Sequence, residues 1–369
     1  MTVWIQNPFD GLPSEGGRKQ RYWLMSEAFL RAGHRVVYWT ADFSHSAKER
    51  RRPVPPDAVP EGMEVRFVPT RPYPSNVCLA RQRSHRAYAA DWKRMALADK
   101  GDRPSLVVTS MPTISAAEAA LEVARRLGAR AVVDVQDAWP ETFERLFPRC
   151  ARFVARAALA PWRRRARRIY RDADVVTGVC DRYRELVGRD DYRRAYLGIE
   201  LGERPEPPCS KTGRRRIAYV GGVGRTYDLD TVRRAAMALG MDLAVAGGGN
   251  YLGRDELEAF LSNCDVGVIP MSGDSWVGLP NKLFDYAKAG LPVVSSLDGE
   301  TAAILGRYAC GAAYRAGDPG SLAEAIGRAL RCEPLASRRM CEAEFSAEQI
   351  YDAYARTLVP PCSQGKILV

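Results

Sequence analysis

Apolar runs of strand length alternate with helix-period patterns along the chain, the arrangement of parallel sheets covered by helices. Strands are predicted at 3–6, 34–40, 63–69, 105–110, 129–135, 175–179 and 194–197, with helical patterns between several of them. The stretch 201–214 breaks this rhythm with Pro205, Pro207 and Pro208 and little apolar content, and reads as a linker. A second set of strands follows at 216–220, 242–246, 265–269 and 292–295, again alternating with helices. Residues 345–358 have helical spacing and are expected to pack back across the junction. The pattern predicts an α/β protein of two Rossmann-like domains facing one another across a cleft. The domains are expected at residues 1–204 and 205–344, with a C-terminal helix in 345–369 returning to the first.

A chain of 369 residues is longer than one hydrophobic core usually supports, in keeping with two domains. Its 46% apolar and 27% charged residues are ordinary for a globular protein. No run of eighteen apolar residues suggests a spanning helix, and residues 1–6 lack the basic start and apolar stretch of a signal peptide. Nine scattered cysteines without Cys-x-x-Cys spacing read as reduced thiols in a cytoplasmic protein, not as a disulfide framework or zinc site. The three histidines, His34, His45 and His85, are too few for a histidine-rich metal centre. The net charge of +11 calls for a partner: nucleic acid, an anionic membrane surface or a phosphorylated substrate.

Four segments place polar groups or glycines where such a fold presents ligands. The first is the loop 7–17, ending in Gly16 and Gly17 before a helix predicted from Arg18. Free backbone N–H groups at a helix start and the close approach glycine permits make an anion site there. An ordinary long strand-to-helix loop has the same composition. The loop is too long for a Gly-x-Gly-x-x-Gly turn, which disfavours NAD. The second is Gly221-Gly222-Val223-Gly224-Arg225, where Gly222 and Gly224 admit a diphosphate and the Arg225 fork suits its oxygens. A surface arginine after a tight turn would look the same.

The third is Leu279-Pro280-Asn281-Lys282-Leu283-Phe284-Asp285-Tyr286, closed by Gly290. Pro280 suits the first turn of a helix, whose free N–H groups can receive a pyrophosphate beside Lys282. Asp285, three residues on, shares a helical face with Lys282 and suits ribose hydroxyls. The alternative is a Lys–Asp pair on the surface of an amphipathic helix. The fourth is Asp134-Val135-Gln136-Asp137-Ala138-Trp139-Pro140-Glu141, a buried strand whose carboxyl end delivers Gln136 and Asp137 to the cleft, unless Asp137 caps the helix near Pro140.

Together with Gly33-His34-Arg35-Val36-Val37 and Cys264-Asp265-Val266-Gly267-Val268-Ile269-Pro270, these segments resemble glycosyltransferase family 4 over nearly the whole chain, within it the bacterial branch that builds cell-surface polysaccharides. The resemblance implies a GT-B fold and a retaining transfer of sugar from a nucleotide diphosphate donor, UDP ahead of GDP, without metal or further cofactor. On the resemblance Arg225 and Lys282 hold the donor diphosphate and, with Asp137, form the catalytic set. Asp285 takes the place of the second glutamate of the family's Glu-x7-Glu motif. Gly16, Gly17, Gly222, Gly224, Asn281, Gly299 and Glu300 complete the donor-binding set, and Gln136 lies on the acceptor side. The sequence departs from the pattern at Val277, where the first glutamate falls, and at Gln136, where a histidine often stands. The segment from Gly247 to Arg254 is also shorter than usual.

Residues 152–171 hold eight arginines and no carboxylate, with Phe153, Val154, Leu159, Trp162, Ile169 and Tyr170 interleaved. Such a helix fits an anionic membrane surface, where a lipid-linked acceptor would be found and the protein would lie peripherally. A solvated helix face packed by its apolar side fits equally. Asp172-Ala173-Asp174 and Asp228-Leu229-Asp230 match an Asp-x-Asp metal pattern by chance, each lying where a loop meets a regular element. Two rival readings remain: a nucleotide-sugar 2-epimerase, which needs more acid–base groups than a histidine-poor chain offers, and a non-catalytic nucleic-acid binder. The second leaves the glycine loops and the Lys282–Asp285 spacing without purpose, so no nucleic-acid partner is expected.

Overall fold

The computed structural model describes residues 1–76, 78–208, 213–224, 226–248, 252–272 and 275–359. The chain divides into two compact units. The first comprises Met1–Val179, Tyr183–Gly198 and the segment that begins at Ala347; the second comprises Cys180–Arg182 and Ile199–Ser346.

The first unit is built from β1 (Thr2–Gln6), α1 (Arg21–Arg31), β2 (Arg35–Ala41), β3 (Met63–Val68), α2 (Leu79–Ala98), β4 (Leu106–Met111), α3 (Ile114–Leu127), β5 (Arg130–Val135), α4 (Arg152–Asp172), β6 (Val175–Gly178), α5 (Tyr183–Val187) and β7 (Arg193–Arg194). The strands form one parallel sheet in the order β3-β2-β1-β4-β5-β6-β7. Strands buried on both faces need apolar side chains at successive positions, hence runs such as Val36-Val37-Tyr38-Trp39. One face packs on Tyr22, Met25 and Phe29 of α1, the other on Tyr88 and Trp92 of α2 and the alanines of α3.

The second unit contains β8 (Arg216–Val220), α6 (Leu229–Leu239), β9 (Asp242–Ala246), α7 (Arg254–Ser262), β10 (Val266–Ile269), α8 (Asn281–Lys288), β11 (Val293–Ser295), α9 (Glu300–Arg307), β12 (Gly311–Ala313), α10 (Pro319–Ala329) and α11 (Ala336–Glu344). Its sheet is parallel, in the order β12-β11-β10-β8-β9. α6 and α10 cover Ile217, Tyr219, Val266 and Val268 on one face. On the other, Tyr286 of α8 lies against Gly267, where any Cβ would collide with its ring.

The last helix, α12 (Ala347–Leu358), belongs to the first unit and packs on α1: the rings of Phe29 and Tyr354 lie 6.4 Å apart, and the Tyr351 hydroxyl accepts the Gly198 N–H at 3.0 Å. A buried ion pair ties this region together. Arg21 grips Asp134 through Nε and Nη2 at 2.7 and 2.8 Å, and donates further to the carbonyls of Ala195 and Tyr196. Tyr22 and Thr177 donate to the same carboxylate. Burial alone would push Asp134 up, but Arg21 and these donors hold it below the usual carboxylate value.

The structure differs from the pattern reading at several boundaries. α1 starts at Arg21 instead of Arg18, β7 is a two-residue strand at 193–194, and β12 lies where no strand was expected. The expected strand at 194–197 ends after Arg194, where the carbonyls of Ala195 and Tyr196 accept from Arg21 instead of a neighbouring strand.

Candidate functional site

In each sheet the strand order runs outward from one junction, β1/β4 in the first unit and β8/β10 in the second. Loops leaving the strands at such a junction diverge at their carboxyl ends, and ligands of open α/β sheets bind there. The glycine loop after β8 and the long loop after β1 both start from these positions.

In the second unit the loop after β8 meets the start of α8. Pro280 is the N-cap of α8, Asn281 its exposed first residue and Lys282 its second. Lys282 is 6% exposed, which sets aside the surface-pair alternative. Its ammonium donates to the Val220 carbonyl at 2.7 Å and lies 4.7 and 3.9 Å from the ring centres of Tyr219 and Tyr227. Gly221, at φ +124°, passes so close that a Cβ would strike the Lys282 Nζ. Burial pushes the ammonium down to about 8, with Asp285 pulling the other way. Asp285 is half-buried one turn along α8. Gly222 and Gly224 are exposed, with open space where a Cβ would be, and the Gly222 carbonyl accepts the Tyr219 hydroxyl at 2.6 Å. Arg225 lies outside the described residues.

Gly299, in a left-handed conformation, caps α9, and Glu300 begins it; the Glu300 Oε2 accepts the Asp181 N–H at 2.9 Å and lies beside Gly278. Val277 is half-buried, its N–H turned to the Ser275 hydroxyl. The structure thus sets Asn281, Lys282 and Asp285 in the opening turns of α8, with Gly221 of the glycine loop against the Lys282 ammonium. Tyr219 and Tyr227 carried no assigned role in the sequence reading. The period-two alternation of β8, which turns Ile217 and Tyr219 to one face, was the available signal for the first.

In the first unit Gly16 and Gly17 are exposed, and Gly16 is left-handed at φ 79°. The loop 7–17 is organised by side chains: Asn7 Oδ1 accepts the N–H groups of Phe9 and Asp10 at 2.8 Å, and Asp10 accepts that of Tyr22. Burial pushes Asp10 up to about 6. Gln136 follows β5, its N–H paired with the Met111 carbonyl at 2.8 Å. Both oxygens of Asp137 are engaged, by the Trp139 indole and the Thr142 hydroxyl at 3.0 Å each, and burial raises its pKa. Asp137 braces the turn at Trp139-Pro140 through side-chain donors.

The arginines of α4 are largely paired: Arg156 with Glu144 at 2.9 Å, Arg163 with Glu141 at 3.1 Å, Arg165 with Glu118 and Arg171 with Asp172, each at 2.8 Å. Phe153 and Val154 are exposed. Asp174 accepts the Ala131 N–H and Asp228 caps α6.

Two family models match the chain. Residues 16–197 match the glycosyl transferase 4-like domain and residues 214–332 the glycosyl transferases group 1. No curated protein matches it. Among solved structures it is similar to sucrose-phosphate synthase from Thermosynechococcus elongatus (TM-score 0.71, 13% identity, 97% of this chain and 98% of that one). It is also similar to Anabaena HepE in complex with UDP-glucose (0.62, 12%, 97% and 99%) and to WaaG, a glycosyltransferase involved in lipopolysaccharide biosynthesis (0.56, 15%, 98% and 100%). Two parallel sheets of seven and five strands, each matched over most of its length by a glycosyltransferase model, place the chain in the glycosyltransferase 4-like family, with a GT-B fold.

Proposed function

We propose that the protein transfers a sugar from a nucleotide diphosphate donor to an acceptor, with retention of anomeric configuration, and that its second unit holds the donor. The observation that carries the reading is Lys282: a buried ammonium at the first turn of α8, beside a glycine loop leaving the switch-point strand. A cation and free N–H groups in a partly dehydrated site suit a diphosphate. The complex of HepE with UDP-glucose supports a UDP-sugar donor, and the likeness to WaaG supports a role in cell-surface polysaccharide synthesis.

In this proposal the C1–O bond to the β-phosphate breaks as the acceptor oxygen attacks from the same face. The leaving diphosphate accepts the acceptor's proton, so neither metal nor cofactor is needed. Lys282 and the α8 N-terminus stabilise the charge growing on the β-phosphate, Asp285 binds the ribose, and Arg225 adds a second cation. One such preorganised donor is worth roughly 3 kcal/mol of barrier. Lys282→Ala should therefore lose about a hundredfold or more in nucleoside diphosphate release, assayed over a panel of nucleotide sugars, with an unchanged circular dichroism spectrum. Near-normal turnover would remove Lys282 from the site.

A further inference from the structure

A second cluster lies in the first unit, at the carboxyl ends of its strands. Phe9 follows β1, Lys48 follows β2, Tyr73 follows β3 and Trp139 follows β5; Arg81 and His85 come from the start of α2. The Arg81 guanidinium rests on three rings, 5.6 Å from the centre of Phe9, 6.0 Å from Tyr73 and 5.3 Å from Trp139. Its Nε donates to His85 Nε2 at 3.3 Å and its Nη1 to the Asn76 carbonyl at 2.7 Å. Lys48 stands beside it, 4.8 Å from the centre of the Tyr73 ring, donating to the His45 carbonyl and to Asn76 Oδ1.

Both cations are half-buried, and among the described residues every hydrogen-bond partner they have is neutral. The acidic groups near them are Asp137 and the Cys78 thiol, whose pKa the Arg81 N–H lowers. Elsewhere in this unit arginines find carboxylates, as Arg21, Arg163 and Arg165 do. Asp137, whose charge reaches Arg81, has both oxygens taken by Trp139 and Thr142. Burial holds His85 at about 3 and His45 at about 4, so both rings are neutral and add no compensating charge. Two like charges, partly dehydrated and fixed side by side, are unfavourable alone and become favourable when an anion joins them. The rings beneath Arg81 hold its fork in place, so little rotamer freedom is lost on binding.

We propose that this cluster is the acceptor-recognition site, and that the acceptor is a saccharide carrying a carboxylate or phosphate group seated between Lys48 and Arg81. The proposal rests on the glycosyltransferase reading and deepens it by naming the chemical class of the acceptor.

The test is isothermal titration of the full chain, at low ionic strength, with glucose, glucuronate and glucose 6-phosphate, and separately with UDP. At least one anionic sugar should bind about tenfold or more tighter than glucose. A carboxylate source favours glucuronate and a phosphate source favours glucose 6-phosphate. The preference should vanish in Arg81→Gln and in the Arg81→Gln/Lys48→Gln double variant and largely survive in Arg81→Lys, while UDP affinity and melting temperature stay at the wild-type value. Absence of any anion preference in the wild type, including failure of both anions to bind, overturns the proposal, as does a preference that survives in the double variant. The UDP titration judges the donor reading independently, so the two can fail separately.

Discussion

Lys282 is where a single residue decides most. A lysine buried between two tyrosine rings loses its proton near pH 8, well below its usual value, because the dehydrated ammonium is the costly form. A diphosphate needs that charge. Below about pH 8 the free protein carries it already; above, binding must take up a proton, and affinity falls by up to roughly tenfold per pH unit. UDP titrations should therefore be flat near neutrality and weaken above about pH 8, and Lys282→Met should abolish the bend. The same bend in the variant would assign the titration to another group. Lys282 could be picked out in the sequence because Pro280 marks a helix start and Asp285 shares its face. Its tyrosine neighbours could not, because Tyr219 and Tyr227 come from a strand and loop far earlier in the chain. For the same reason the Arg81 cluster, assembled from four loops and a helix, had no linear signature.

At the scale of elements the glycine loop after β8 shows what local geometry demands. Gly221 takes a backbone conformation that L side chains rarely adopt, and its missing Cβ leaves the space filled by the Lys282 ammonium. Gly221→Ala costs about 1 kcal/mol or more in backbone strain and displaces that ammonium, so UDP affinity should fall about tenfold or more. Gly306→Ala, near the end of α9, adds a methyl into open space outside the donor-binding set and should bind UDP normally. Equal losses in the two variants would contradict this account. Strands β8 and β9 were legible to the residue, because apolar β-formers end sharply at Arg216, Gly221, Asp242 and Gly247. β12 was not: Gly311-Ala312-Ala313 has neither length nor β-branched residues, and it is a strand only because β11 offers it an edge.

For the whole molecule the open issue is the charge of +11. No described helix is long and apolar enough to cross a membrane. The paired arginines of α4 offer fewer free charges than the sequence suggested, yet Phe153 and Val154 are exposed among them. Peripheral attachment, where a lipid-linked acceptor would be met, predicts co-sedimentation with vesicles containing anionic phospholipid, reduced by Phe153→Ser and by salt. Binding that ignores anionic lipid would discard it. The division of the chain has a further consequence. Because α12 completes the first unit but is encoded after all of the second, the first unit cannot close while it is being synthesised. Its α1 face, with Phe29 and Tyr22, must wait until the second unit has been translated. The unit whose translation begins first is thus the last to have all its parts, and until α12 is made its seam on α1 lacks the side chains of Tyr351, Tyr354 and Leu358 that share its core in the folded chain.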